Sequence, residues 1–319
     1  MYLYFLWIKF NDYINNIVHK KWGKYSLENV RRPAVAGQFY DAGKNQLEKT
    51  IKNCFLDERG PKSLPKIEKG EKNVKGLIVP HAGYIYSGAI AAHAYHHLSI
   101  NGFADTFIII GPNHTGMGSG VALMKQGKWE TPLGGIPINK KLAEKLLKGL
   151  IDDDENANKY EHSIEVQLPF LQYCAKEKKF DFVPICMAMQ DYETSKEIGE
   201  IIADEIKKND KKIVIIASSD FSHVGFNYMS MPQSGMNVDE YAEKQDMLAV
   251  EKILDLAPES LIDTVHKNNI TMCGYGPIAA MLTAAKKLGS GKAELLKYGT
   301  SYEVQPGSSC VGYGAITVY

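Results

Sequence analysis

Short apolar runs recur along the chain, and each ends on a break in the pattern. Val74 to Val79 stops at Pro80, which has no N–H to offer a ladder. Thr106 to Ile110 stops at Gly111-Pro112, and Lys212 to Ala217 gives way to Ser218-Ser219-Asp220. Together with Phe182 to Met187, these runs have the length and β-branched content of strands buried on both faces. Between them lie stretches with helical character: Lys44 to Phe55, Ala89 to Leu98, Lys140 to Leu150, Glu161 to Tyr173 with a kink or stop at Pro169, and Tyr192 to Lys208. Strand, glycine-punctuated loop, then helix is the unit of an open α/β sheet, which builds its sites beyond the carboxyl ends of the strands.

The rest of the pattern fills in around that unit. Leu3, Leu6, Trp7, Phe10, Ile14, Ile17 and Val18 recur at helical spacing, with Lys20, Lys21 and Lys24 near the end. Residues 1–30 are therefore expected to be a helical extension that packs on the protein or on a second subunit, with contact at a membrane surface as the alternative. Residues 31–319 are expected to form one domain, entered through Arg31 to Tyr40. Asp57 to Lys75 reads as an exposed loop, and Lys128 to Ile138, with Gly134-Gly135 at its centre, as a hairpin confined to a sheet edge by its prolines. Asp152 to Asn156 is a solvated acidic turn, because Ala157 and Ser163 stand where a calcium loop needs glycine and glutamate. Gly225 to Asp239, holding three methionines among Pro, Ser, Gly and Asn, is the candidate lid. Helices follow at Glu240 to Leu254, Pro258 to Asn268 and Ile278 to Lys286, the last opened by Pro277. Leu295 to Val304 and Cys310 to Tyr319 are expected as an antiparallel edge of the sheet.

Charge and cysteine usage narrow the function classes. Lysine plus arginine and aspartate plus glutamate both number 37, so no global field favours nucleic acid or an anionic membrane. The five cysteines show no CxxC spacing, which points to reduced thiols and a cytoplasmic location. No apolar run approaches the roughly 18 to 20 residues of a membrane span.

Three histidines follow three different strand ends: His81, His114 and His223. If those strands are parallel neighbours, the imidazoles converge on one edge of the sheet. Cys273 precedes a helix start, where the dipole is expected to lower its pKa and favour thiolate. This set points to a metal or catalytic site. Rival arrangements are weaker. His93 and His97 have zinc-pair spacing but lack the glutamate of His-Glu-x-x-His, and Asp220 and His223 with Ser219 or Ser222 have no Gly-x-Ser-x-Gly elbow. Gly83 and Gly88 form no nucleotide fingerprint.

Pro80-His81-Ala82-Gly83-Tyr84, Gly111-Pro112-Asn113-His114, Glu161-His162-Ser163-Ile164-Glu165, Ser218-Ser219-Asp220-Phe221-Ser222-His223 and Cys273-Gly274 occur in this order, and with them the chain resembles the Memo family. Archaeal and bacterial members of that family are called AmmeMemoRadiSam system protein B. The resemblance covers Arg31 to Tyr319. It implies a three-layer α/β/α sandwich with a mostly parallel or mixed central sheet, similar to the class III extradiol dioxygenases. It implies metal ligation by His81, His114 and Cys273, with Asp220 and His223 as catalytic groups in the same cleft. Tyr84, His162, Glu165 and Tyr275 are expected to contact substrate or support the ligands. One divalent metal is implied, iron or copper ahead of zinc, although two imidazoles and a thiolate are softer than the two histidines and glutamate of the dioxygenases and suit copper or zinc as well as iron. A metal-dependent oxidoreductase or an accessory protein of a radical-SAM system is the function implied, on a small-molecule or peptide ligand. A non-enzymatic peptide- or protein-binding module with a cleft lined by Tyr84, Tyr86 and Tyr275, and a metal-assisted hydrolase, are the alternatives.

Overall fold

The computed structural model describes residues 29–232 and 234–319, and the helix expected in the first 28 residues lies outside them. The strands of the described residues are β1 (Val30–Arg31), β2 (Gly76–Val79), β3 (Thr106–Pro112), β4 (Val121–Leu123), β5 (Lys128–Thr131), β6 (Gly134–Pro137), β7 (Asp152–Asp153), β8 (Asp181–Met187), β9 (Ile213–Ser218), β10 (His223–Gly225), β11 (Ala293–Thr300) and β12 (Ser309–Val318). The expected strands are all present, and four short ones that were not expected, β1, β4, β7 and β10, join them; β7 lies where the acidic turn was expected. The helices are α1 (Lys44–Leu56), α2 (Tyr84–Ile100), α3 (Lys140–Leu146), α4 (Asn156–Lys159), α5 (Leu168–Ala175), α6 (Tyr192–Lys207), α7 (Val238–Leu254), α8 (Pro258–Asn268) and α9 (Tyr275–Lys287).

Among the described residues, nine strands form one mixed sheet. Its centre is the parallel set β2, β9, β3 and β8, in that spatial order, whose apolar residues are buried on both faces. Helices α1, α2 and α5 pack together on one side, and α3, α6, α7, α8 and α9 succeed one another on the other, giving an α/β/α arrangement. Register carries the chemistry. Val79 pairs with Ser218 and Ile110 with Ala217, so the residues just past β2, β3 and β9 leave the sheet side by side.

Four details differ from the pattern. The 128–138 hairpin leaves the main sheet and joins β1 in a separate three-stranded sheet, held by Val30 against Lys128 and Arg31 against Trp129. Of the two carboxyl-terminal segments only β11 is an edge; β12 is interior, because its other side accepts both β2 and β10. The stretch expected as a lid begins inside the sheet, since His223 to Gly225 is β10. Pro169 interrupts nothing: a 3-10 turn at Glu165–Gln167 precedes it, and it sits in the first turn of α5, where its missing N–H is no loss. No helix among the described residues is long and apolar enough to cross a membrane.

Candidate metal centre

Pro80 ends β2 and leaves His81 buried at the crevice. Its N–H donates to Asp220 Oδ1 at 2.7 Å, and its ring Nδ1 lies 2.9 Å from Ser218 Oγ. The partners of Ser218 decide the tautomer. The Ser218 hydroxyl donates to the Ser163 carbonyl at 2.6 Å and accepts from Gln167 Nε2 at 2.7 Å. Gln167 cannot be reversed, because the same Nε2 donates to the Pro80 carbonyl. Ser218 has only acceptor capacity left, so His81 Nδ1 carries the proton and Nε2 presents a lone pair, 3.3 Å from Cys273 Sγ.

His114 and His223 reach the same state by other routes. His114 Nδ1 lies 2.9 Å from Oε1 of Glu161, whose other oxygen accepts the His114 N–H at 2.6 Å. Glu161 is fully buried and also accepts from the N–H groups of His162 and Ser163. Burial alone would raise its pKa, but the hydrogen bond and charge of His114 outweigh it and bring the carboxyl down to about 2. His223 Nδ1 lies 3.0 Å from the Thr271 carbonyl, which can only accept. All three imidazoles therefore hold Nδ1–H against a fixed acceptor and keep Nε2 free. That is the arrangement in which a carboxylate or carbonyl orients a metal-binding histidine.

The donor set is compact. His81, His114 and Cys273 each offer a ligand atom within 4.8 Å of the others, and the first two rings meet edge to face at 5.2 Å. Metal–sulfur and metal–nitrogen bonds of about 2.3 and 2.0 Å at a near-tetrahedral angle put sulfur and nitrogen about 3.5 Å apart. The observed 3.3 Å fits.

Cys273 departs from expectation in one respect. It lies two residues before α9, as expected, yet burial first and then the neighbouring Asp220 push its thiol well up rather than down. The dipole of a helix end does not offset desolvation here. A metal would have to displace that proton. The turn is pinned from two strand ends. Gln190, just past β8, donates to the Cys273 carbonyl and accepts from Gly276 N–H, both at 2.9 Å, and Ser219 Oγ accepts from Gly274 N–H. A Cβ on Gly276 would stand 2.7 Å from Gln190 Cβ, so the close approach needs glycine. Pro277 is the third residue of α9, not the first.

The described donors form a second group, His114, Glu161 and His162. Four N–H groups already occupy Glu161, which makes it a holder of His114 instead of a ligand. The Memo-like protein family matches residues 31–317. The chain belongs to the Memo family. A MEMO1 family protein of Methanopyrus kandleri is 46% identical over 289 residues, covering 90% of this chain and 98% of that one. Another, from Methanococcus maripaludis, is 48% identical over 295 residues, covering 90% and 99%. Among solved structures, an uncharacterized protein of Escherichia coli K12 superposes with a TM-score of 0.50 at 15% identity, over 76% of this chain and 99% of its own, a likeness of fold.

The other residues singled out in this Memo-like protein divide into two sets. Asp220, His223 and His162 line a cleft of about 690 Å³ together with His81 and His114. Asp220 is buried, and its pKa is raised by burial against the pull of His223 and of the His81 and Ala82 amides. His162 stacks on His114 at 4.5 Å, and burial, opposed by Glu161, takes its pKa down to about 4. Tyr84, Glu165 and Tyr275 do not line the cleft. Tyr84 packs between Tyr40 and Phe170 and donates to the Val166 carbonyl, because it stands on the core-facing side of the first turn of α2. Tyr275 sets its ring against His266. Glu165 is fully buried against Arg31, which also donates to the Glu161 carbonyl at 2.6 Å. Sequence reasoning missed Glu161, Ser218, Gln167, Gln190 and Arg31 as supports. The adjacency of Glu161 to His162 was the available signal, but spacing could not say which carboxylate, Glu161 or Glu165, meets His114.

Proposed function

We propose that this Memo family protein holds one divalent metal through His81 Nε2, His114 Nε2 and Cys273 Sγ, with Asp220 and His223 on the open side. The reading extends to a redox or accessory role on a ligand bound in the cleft, within a reducing cytoplasm and alongside a radical-SAM system. The observation that carries it is the shared tautomer of the imidazoles: Nδ1 is committed and Nε2 is left to bind. Iron or copper at such a donor set supplies redox chemistry and Lewis acidity. The protein's own residues supply the rest. His223 keeps its Nδ1 proton on the Thr271 carbonyl and presents Nε2 to take a proton from a bound ligand. Asp220, fixed by the His81 amide, lines the same cleft.

The test is metal quantitation on protein purified without oxygen. Wild type should hold close to one equivalent, and Cys273→Ser should lose most of it with an unchanged circular dichroism spectrum. Equal metal content in the two would end the proposal. One observation favours a second reading, a binding module for a peptide: Phe39, Tyr86, Tyr228 and Tyr313 wall the cleft. Metal-free protein that keeps full ligand affinity and turns nothing over would support it. Zinc occupancy with activity indifferent to oxygen would instead support hydrolysis.

A further inference from the structure

β10 is the outermost strand at its end of the sheet and pairs with β12. The phase of that pairing is set just before it, where the Gly312 N–H donates to the Ser222 carbonyl at 2.9 Å. Antiparallel neighbours alternate, so Val224 turns its N–H and C=O toward β12, while those of His223 and Gly225 turn to the open edge. Gly225 meets backbone there: its N–H donates to the Ser230 carbonyl at 2.6 Å, and the Ser230 N–H returns the bond at 3.4 Å. His223 meets a single side chain. Thr271 Oγ1 accepts from the His223 N–H at 2.8 Å and donates to the His223 carbonyl at 2.7 Å. One hydroxyl serves both because it is donor and acceptor at once.

The same residue makes a third contact, from its own carbonyl to His223 Nδ1 at 3.0 Å. Backbone and ring of His223 are thus tied to one residue 48 positions along the chain. Thr271 does not line the cleft, so its part is played through His223. It stands two residues before Cys273, whose carbonyl is held by Gln190, and so joins the segment bearing the thiol to the strand bearing the imidazole. Tyr228 meets the ring edge to face at 5.1 Å, a packing contact that does not choose between the two ring nitrogens.

We propose that Thr271 is the positioning residue of His223: its hydroxyl fixes the strand end so that its carbonyl holds the Nδ1 proton and Nε2 stays the proton-accepting atom in the cleft. The inference rests on the acid–base role proposed above for His223. A hydrogen bond at one imidazole nitrogen sets the state of the other. Without the hydroxyl, the segment from Ile270 to Met272 loses its grip on the strand end, Nδ1–H loses a fixed acceptor, and the ring exchanges between its tautomers. A threonine present only to close the edge of β10 would stabilise the strand and leave the tautomer untouched.

Long-range proton–nitrogen NMR on metal-free protein carrying ¹⁵N-histidine, at alkaline pH, tests this, with the His223 signals assigned by their loss in His223→Gln. Wild type and Thr271→Ser should show a protonated Nδ1 and a bare Nε2. In Thr271→Val the two nitrogen shifts should converge while the signals of His81 and His114 stay in place, and Thr271→Ala gives the same reading should the valine variant fail to fold. An unchanged His223 spectrum in the variants without the hydroxyl, a serine variant that does not keep the wild-type pattern, or shifts spread over all three histidines overturns the assignment. Metal stoichiometry on the same proteins separates this inference from the centre itself. Metal at one equivalent with His223 unmoved by Thr271→Val removes only the positioning role, whereas the predicted convergence in a protein that takes up no metal removes only the centre.

Discussion

Asp246→Asn should stabilise the protein, and should do so more as pH rises. Asp246 lies on α7, fully buried, with one carboxyl oxygen accepting from Ser222 N–H and the other from the Tyr298 hydroxyl, both at 2.8 Å. Burial raises its pKa from 3.8 to about 7, more than those two hydrogen bonds lower it. Below 3.8 both the folded and unfolded chains carry the proton and ionisation costs nothing. Between 3.8 and about 7 the unfolded chain ionises while the folded one does not, so stability falls with rising pH and levels off above about 7. The span is about three units, or about 4 kcal/mol at about 1.4 kcal/mol per unit. Asparagine has no such loss: its carbonyl still accepts from Ser222, and its amide can donate to the Tyr298 oxygen. With an unfolding entropy of about 2 cal/mol/K per residue, about 4 kcal/mol on a chain of this length is about 6 °C in Tm. Melting curves of both proteins from pH 4 to 8 check this. Curves that stay parallel across that range would show that Asp246 does not change ionisation on folding, and the reasoning would fail.

Three other expectations follow from the supports of the centre. Glu161→Gln leaves His114 without its carboxylate and should weaken metal affinity about 10- to 100-fold, read by competition with a chelator. Gln190→Glu keeps the acceptor for Gly276 but sets a carboxylate oxygen against the Cys273 carbonyl; metal affinity should fall about tenfold with little change in the melting temperature of the metal-free protein. Arg31→Met strands Glu165 in the interior at a cost of about 3–5 kcal/mol, and adding Glu165→Gln should recover part of it in urea unfolding.

Much of this was legible in the chain. The apolar runs before Pro80, Gly111 and Ser218 marked β2, β3 and β9, and their parallel pairing put His81, His114 and Asp220 at one edge. What stayed hidden depended on distance in sequence. Gln190 meets Cys273 across 83 residues and Asp246 meets Ser222 across 24, and no local spacing announces either pair. The three residues of β10 read as loop because a strand that short has no period of its own; its partner Ser309–Val311 supplies the order. The Cys273 thiol was misjudged because a helix start is visible in sequence and burial is not.

The support of the centre is more constrained than its ligands. His81, His114 and His223 draw their orienting acceptors from a serine hydroxyl, a glutamate and a backbone carbonyl, on three different segments. A histidine cluster kept only to fill the crevice would gain nothing from holding every Nδ1 proton inward. It would also leave the buried His81 Nε2 lone pair with no donor but the Cys273 S–H, 3.3 Å away, while the His114 and His223 rings reach solvent. Exchange of that proton for a cation would recruit His114 Nε2 as well. The fold has thus turned the free Nε2 of His81 and of His114 toward Cys273 Sγ, and that arrangement, more than the count of histidines, is the argument for the metal proposed above.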